Sequence, residues 1–113
     1  MTAGLQTIIY PVNDLAQAKA LFTALLGVEP AQDEAYYVGY QVAGQSFGLD
    51  PNGHSKGMTG PVGYVHVDDI DKSLAAMEAA GGTVSQQPTK VGGTRRIATV
   101  TDADGNVIGV LQD

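Results

Sequence analysis

The chain repeats itself. Residues 7–28 and 62–83 align without a gap at an offset of 55, so that Val12 falls on Val67, Asp14 on Asp69, Leu15 on Ile70, Phe22 on Met77 and Gly27 on Gly82. Identity between the halves is modest. What recurs is the order of physical signals: a β-rich run, an acidic residue, a helical stripe and then glycine. Such a chain folds as two like supersecondary units, a constraint stronger than composition imposes. At 113 residues the two units amount to one domain, residues 1–113.

Residues 6–12 hold Ile8, Ile9, Tyr10 and Val12, and this β-branched and aromatic content predicts a strand. Asn13 or Asp14 then caps a helix by accepting free backbone N–H groups of the first turn, and Gln17 stands where a capping box places its glutamine. Leu15, Ala18, Phe22 and Leu25 recur at helical spacing, so this stripe is expected to face the core. Gly27 suits the left-handed residue that ends a helix. The second half repeats the pattern: a strand over 62–68, Asp68 or Asp69 as cap, a stripe of Ile70, Leu74 and Met77, and a stop at Gly81-Gly82.

A hairpin follows each helix. Residues 35–42 and 45–50 join near Ala43-Gly44, and residues 94–101 and 106–112 join across Asp102-Ala103-Asp104-Gly105, where aspartate and glycine suit positive φ. Further short strands are expected near 30–35 and 83–86. Residues 51–61, with three glycines and two prolines, read as a linker. The order is two βαββ units with one extra strand each: module 1 over about 5–50, the linker 51–61 and module 2 over 62–113. One helix covers one face of a sheet. The open faces are expected to curl into a cleft, or to be covered by a second copy in a homodimer, with Tyr36, Tyr40 and the linker near that contact.

Composition excludes several classes. There is no cysteine, hence no disulfide framework, thiolate zinc site or cysteine nucleophile, which fits a cytoplasmic protein. Twelve acidic against six basic residues give a net charge of −6, which argues against nucleic acid or an anionic membrane as partner. No apolar run approaches the roughly 20 residues of a membrane span, and residues 1–4 lack the pattern of a signal peptide.

The chain resembles the vicinal oxygen chelate superfamily, the glyoxalase and bleomycin-resistance group. The resemblance rests on Asn13-Asp14-Leu15 before a helix ending Leu25-Leu26-Gly27, on Val67-Asp68-Asp69-Ile70 and Ala80-Gly81-Gly82, and on Asp102-Ala103-Asp104-Gly105-Asn106-Val107-Ile108. The last is close to the family's Asp-Pro-Asp-Gly-Asn turn, with Ala103 in the place of proline. The resemblance implies an α+β fold of two tandem βαβββ modules forming a cupped mixed sheet, usually completed in a dimer.

In metal-using members the resemblance implies four ligands, one in the first and one in the last strand of each module, typically His, Glu or Gln. The matching positions here are Thr7, Gly48, Val62 and Gly109. Glycine and valine supply no donor and threonine a poor one, so no metal and no other cofactor is expected. The two glycines either leave room for a ligand or accept a close neighbour.

Period-two alternation puts Val62, Tyr64 and His66 on one face. His66 is a candidate ligand donor or general base, or a histidine bonded within the sheet. Tyr37, Gly39 and Gln41 share the face of Gly48, and Tyr37 and Tyr64 could stack on a flat molecule or simply wall the sheet. Either Arg95 or Arg96 enters the cleft to meet an anionic group, or both stay on a solvated rim. His54 in the linker has no evident partner. The candidate ligand-binding set is therefore Thr7, Tyr37, Gln41, Gly48, Tyr64, His66, Arg95 and Gly109, with no catalytic or metal-binding residue. Three functions fit: a metal-free binder of an aromatic or apolar natural product such as an antibiotic, a glyoxalase-, dioxygenase- or epimerase-like enzyme resting on His66 with a tyrosine or Asp50, and an accessory interaction domain. The acidic charge favours a cationic or neutral ligand.

Overall fold

The computed structural model describes residues 2–113. It contains eight strands and two α-helices in the order β1 (Thr2–Pro11), α1 (Leu15–Leu26), β2 (Gln32–Glu34), β3 (Tyr37–Val42), β4 (Gln45–Asp50), β5 (Val62–Val67), α2 (Ile70–Ala79), β6 (Thr83–Lys90), β7 (Arg96–Thr101) and β8 (Val107–Gln112). The strands pair in both parallel and antiparallel fashion, giving the α+β class expected. A 3-10 turn, His54–Lys56, lies within the linker. The chain forms two compact units, one of Thr7–Val62 and one of Gly63–Asp113 with the residues up to Gln6.

In the unit of Thr7–Val62 the strand order is β2-β3-β4-β1. Asp14 caps α1, its Oδ1 accepting from the backbone N–H of Gln17 at 3.0 Å, and Gly27 ends the helix at φ 72°. The helix packs Leu15, Ala18, Phe22 and Leu26 on a core of Val38, Tyr40 and Leu49. Leu25, expected in that stripe, is 71% exposed instead, as is Leu21 at 66%. Leu25 and Leu26 adjoin, and the 100° step between them lets only one turn inward. Tyr40, expected near a dimer contact, is completely buried. Its hydroxyl donates to the Lys19 carbonyl at 3.0 Å and lies 2.8 Å from Thr23 Oγ1. Tyr36 stays exposed. Ala43 and Gly44 both adopt positive φ in the β3–β4 turn, as a tight hairpin demands.

The other unit orders its strands β1-β5-β8-β7-β6, with β5 and β8 parallel. Asp69 caps α2 by accepting from the Lys72 N–H at 3.0 Å. Ile70 and Leu74 are buried with Ala98, Val100 and Val110, and Met77 packs beside them. At the β7–β8 turn, Asp102 accepts from the side chain and the backbone N–H of Asn106 and from the N–H of Asp104. These bonds, the Asn106 amide first, hold its carboxyl below the usual range. The β6 edge strand carries Pro88 and register shifts near Gln86, which is where proline and bulges are tolerated.

Candidate functional site

Alternation sorts each unit into a helix-packed face and an opposite face. In the Thr7–Val62 unit the opposite face carries Thr7, Tyr37, Gln41, Ser46 and Gly48, through the pairs Thr7↔Ser46, Gln41↔Ser46 and Gly39↔Gly48. Gln41 donates to Ser46 Oγ at 2.8 Å. Gly48 does not open room for a ligand: a Cβ there would collide with the Tyr37 hydroxyl, so the phenol lies across the glycine. Asp50, considered as a partner for His66, is committed elsewhere. Its carboxylate takes Lys56 Nζ at 2.9 Å and the Asn52 N–H at 2.8 Å, which folds the linker back on its own strand.

In the second unit the face opposite α2 carries Tyr64, His66, Gly109 and Leu111, through Tyr64↔Gly109 and His66↔Leu111. Tyr64 is 3% exposed and its ring covers Gly109, where a Cβ would strike it. This glycine too accepts a protein ring rather than leaving a floor. The two arginines part company. Arg96 lies 3.5 Å from Asp71 of α2 and 3.2 Å from Gln112 Oε1, which also accepts the Ile70 N–H at 2.8 Å. Arg95 donates from Nε to Asp113 Oδ1 at 2.7 Å.

Asp113 Oδ2 in turn faces His66 Nδ1 at 3.9 Å. These groups border a recess of about 370 Å³ at the carboxyl ends of β5 and β8, lined by Gln6, His66, Asp68, Gln112 and Asp113 with Ala3, Val67 and Leu111. Burial lowers the His66 pKa from its usual 6.5 and the Arg95 cation adds to that, against an opposing pull from Asp113. The imidazole is therefore mainly neutral at pH 7, able to accept a proton or a hydrogen bond. Sequence reasoning selected His66 and Arg95 but missed Asp113, Asp68 and Gln6. Asp68 stands two residues beyond His66, where the alternation that selected Tyr64 and His66 could have found it; Gln6 and Asp113 are brought in by strand pairing over long separations, which no spacing rule encodes. Thr7, Tyr37, Gln41 and Gly48 belong to the other unit and do not line this recess.

The family model described as Glyoxalase/Bleomycin resistance protein/Dioxygenase superfamily matches residues 4–110. The chain belongs to this superfamily. A "Probable lactoylglutathione lyase" of Vibrio cholerae is 44% identical to it over 50 residues, 43% of this chain and 36% of the relative. The chain thus spans about a third of the length of that curated relative. Among solved structures, methylmalonyl-CoA epimerase from Mycobacterium tuberculosis superposes with a TM-score of 0.74 at 17% identity, covering 98% of this chain and 88% of that one. A glyoxalase/bleomycin resistance protein/dioxygenase superfamily member from Vibrio splendidus matches with a TM-score of 0.72 at 16% identity over the whole of both chains. At these identities the likeness is one of fold.

Many members of the glyoxalase superfamily use a divalent metal, and the residues present here do not fit one. Thr7 is a buried hydroxyl on β1 and Val62 a buried aliphatic at the start of β5. Gly48 and Gly109 have no side chain, and the space a donor would need is filled by Tyr37 and Tyr64. Among the described residues, no three of His, Asp or Glu stand in a metal-holding group. A divalent ion wants several nitrogen or oxygen donors around one point, and these four positions do not provide them.

Proposed function

We propose that this glyoxalase-superfamily protein binds a small organic molecule without a divalent metal. The observation that carries this reading is the identity of the residues at the four positions, Thr7, Gly48, Val62 and Gly109, with tyrosine rings lying over both glycines. The recess beside His66 is the binding place it favours, having a polar rim, an apolar wall and space for a small ligand. Sequestration of an antibiotic or another natural product is one role for such a protein.

A second reading, a metal-free acid–base enzyme, is favoured by the neutral, partly buried imidazole of His66 facing Asp113. The name of the Vibrio cholerae relative points toward chemistry as well. In this reading His66 takes up a proton and Asp113, anchored by Arg95, steadies the imidazolium that results.

The test of the first reading is a titration of nickel, zinc and manganese into chelator-treated protein, followed by melting temperature. Binding to the folded state raises the melting point by linkage, about 2.7 kcal/mol of stabilisation at a hundredfold excess over Kd. An unchanged melting temperature is expected. A saturable rise at one metal per chain overturns the metal-free reading.

A further inference from the structure

We propose that the outer face of α1 pairs with the same face of a second copy of this chain. Gln17, Ala20, Leu21, Ala24 and Leu25 stand on one side of the helix, and all are exposed. Leu21 and Leu25 are the largest of them, at 66% and 71% exposure. The stripe carries no charge. Lys19 is the one charged residue of α1; it lies on another side of the helix and pairs with Asp33. The stripe belongs to the unit of Thr7–Val62, so the inference is independent of what the His66 recess binds.

The internal repeat supplies the comparison. At the offset of 55 the same places in and just beyond α2 hold Lys72, Ala75, Ala76, Ala79 and Ala80, all exposed, with Asp71 and Glu78 exposed beside them. A helix in this position therefore needs no leucine on its outer side, and alanine is the better helix former. Leu21 and Leu25 answer to something other than local structure. Clustered exposed leucines on an uncharged face mark a contact surface.

Charge selects the occupant. Each chain carries −6, so two copies repel wherever their charged surfaces meet. An uncharged stripe is where they can touch. Meeting its own copy about a two-fold axis, the stripe is self-complementary. Antiparallel alignment sets each helix N-terminus, capped by Asp14, beside the other copy's helix C-terminus, which suits the helix dipoles. Ala20 and Ala24 let the two helices approach closely while the leucines interdigitate. The helix has 12 residues and is about 18 Å long. A stripe of that length on two copies buries several hundred Å², short of the roughly 1,000 Å² of a lasting interface. The pairing is therefore weak and follows concentration.

Sedimentation equilibrium of the whole chain, from about 10 μM to about 1 mM, reads the association. The parent should rise from 11.7 kDa toward twice that mass, with a Kd on the order of 100 μM. Leu25→Glu and Leu21→Gln should each weaken the pairing about tenfold or more. The first adds charge to the stripe and the second only removes apolar surface. Ala76→Glu adds the same charge at the matching place on α2 and should leave the association within about twofold of the parent, as an exposed change off the contact does. Added salt should strengthen the pairing by screening like-charge repulsion. Circular dichroism checks that the variants remain folded; each change lies on an exposed residue, and should one leucine variant fail, the other carries the test. A mass that stays at one chain throughout overturns self-pairing and leaves the stripe to a different protein. Undiminished pairing in a folded leucine variant, an equal loss in Ala76→Glu, or weakening by salt also overturns it, because the contact would then lie elsewhere.

Discussion

The two units start from the same plan and fill it differently. Both cap their helix with an aspartate at positions 55 apart, Asp14 and Asp69. Both place a glycine in the last strand, Gly48 and Gly109, and both cover it with a tyrosine. Yet Tyr37 reaches Gly48 from the antiparallel neighbour β3 with its hydroxyl tip, and it remains partly exposed. Tyr64 lies directly opposite Gly109 in the parallel pair β5–β8, and the body of its ring fills the space, nearly fully buried. The helices diverge as well. No residue of α1 is fully buried, whereas α2 buries Ile70 and Leu74. Position 66 is histidine where the offset of 55 puts Pro11, so only one unit carries an imidazole there. A duplicated backbone therefore does not imply duplicated chemistry. The side chains that close each sheet decide which unit offers a site.

The sharpest way to break this contrast is in the helices. Leu74→Ala removes a buried side chain from the α2 core and should cost about 2–5 kcal/mol. Leu26→Ala in α1, which is only partly buried, should cost clearly less, and Leu25→Ala should fall within about 0.5 kcal/mol of the parent. Urea denaturation measures all three. Equal losses at Leu74 and Leu26 would mean that the helices anchor their units alike.

The glycines give the next largest effect. Gly109→Ala forces a methyl group against the buried ring of Tyr64 and should cost about 1–3 kcal/mol. Gly48→Ala meets only the phenol tip, which swings aside, and should cost under about 1 kcal/mol. Thermal melts of the two variants compare them directly, and a larger loss at Gly48 would reverse the assignment of the two tyrosines.

The smallest effect is the pH response of His66. Its folded pKa lies below the unfolded 6.5, so the unfolded chain takes up the proton first as pH falls. The stability this group contributes is fully present above pH 6.5 and is lost as pH drops through its folded pKa. Histidine NMR titration should give a midpoint below 6.5 for His66, and His66→Gln should flatten the melting temperature across that window. A midpoint above 6.5 would mean that Asp113 outweighs burial.

Much of the fold was legible because the signals are local. Asp14 with Gln17, Gly27, Ala43-Gly44 and Asp102 through Asn106 act through neighbours a few residues away, and the repeat ordered them into two units. Alternation also placed Tyr37 with Gly48, and Tyr64 with His66, on their proper faces. Periodicity failed at Leu25, because an apolar helix such as α1 presents leucine on more than one side and only packing selects the inner one. Tyr40, looked for near a dimer contact, lies in the core instead, because aromatic character signals surface and core alike until the hydroxyl finds Lys19 and Thr23.

What the sequence by itself determined is the succession of strands, caps and turns, the family, and the poverty of metal donors at Thr7, Gly48, Val62 and Gly109. These are properties of residue identity and short-range spacing. Tertiary structure alone decided which arginine reaches Asp113, that Asp113 lies beside His66, and that tyrosines rather than a ligand occupy the space above the glycines. Those outcomes depend on strand partners: β7 and β8 bring positions 95 and 113 together, and β5 beside β8 brings in position 66. The turn at residues 102–105 sets the register of the β7–β8 hairpin, but that of β5 on β8, strands far apart in the chain, is set by how whole faces bury rather than by any local turn.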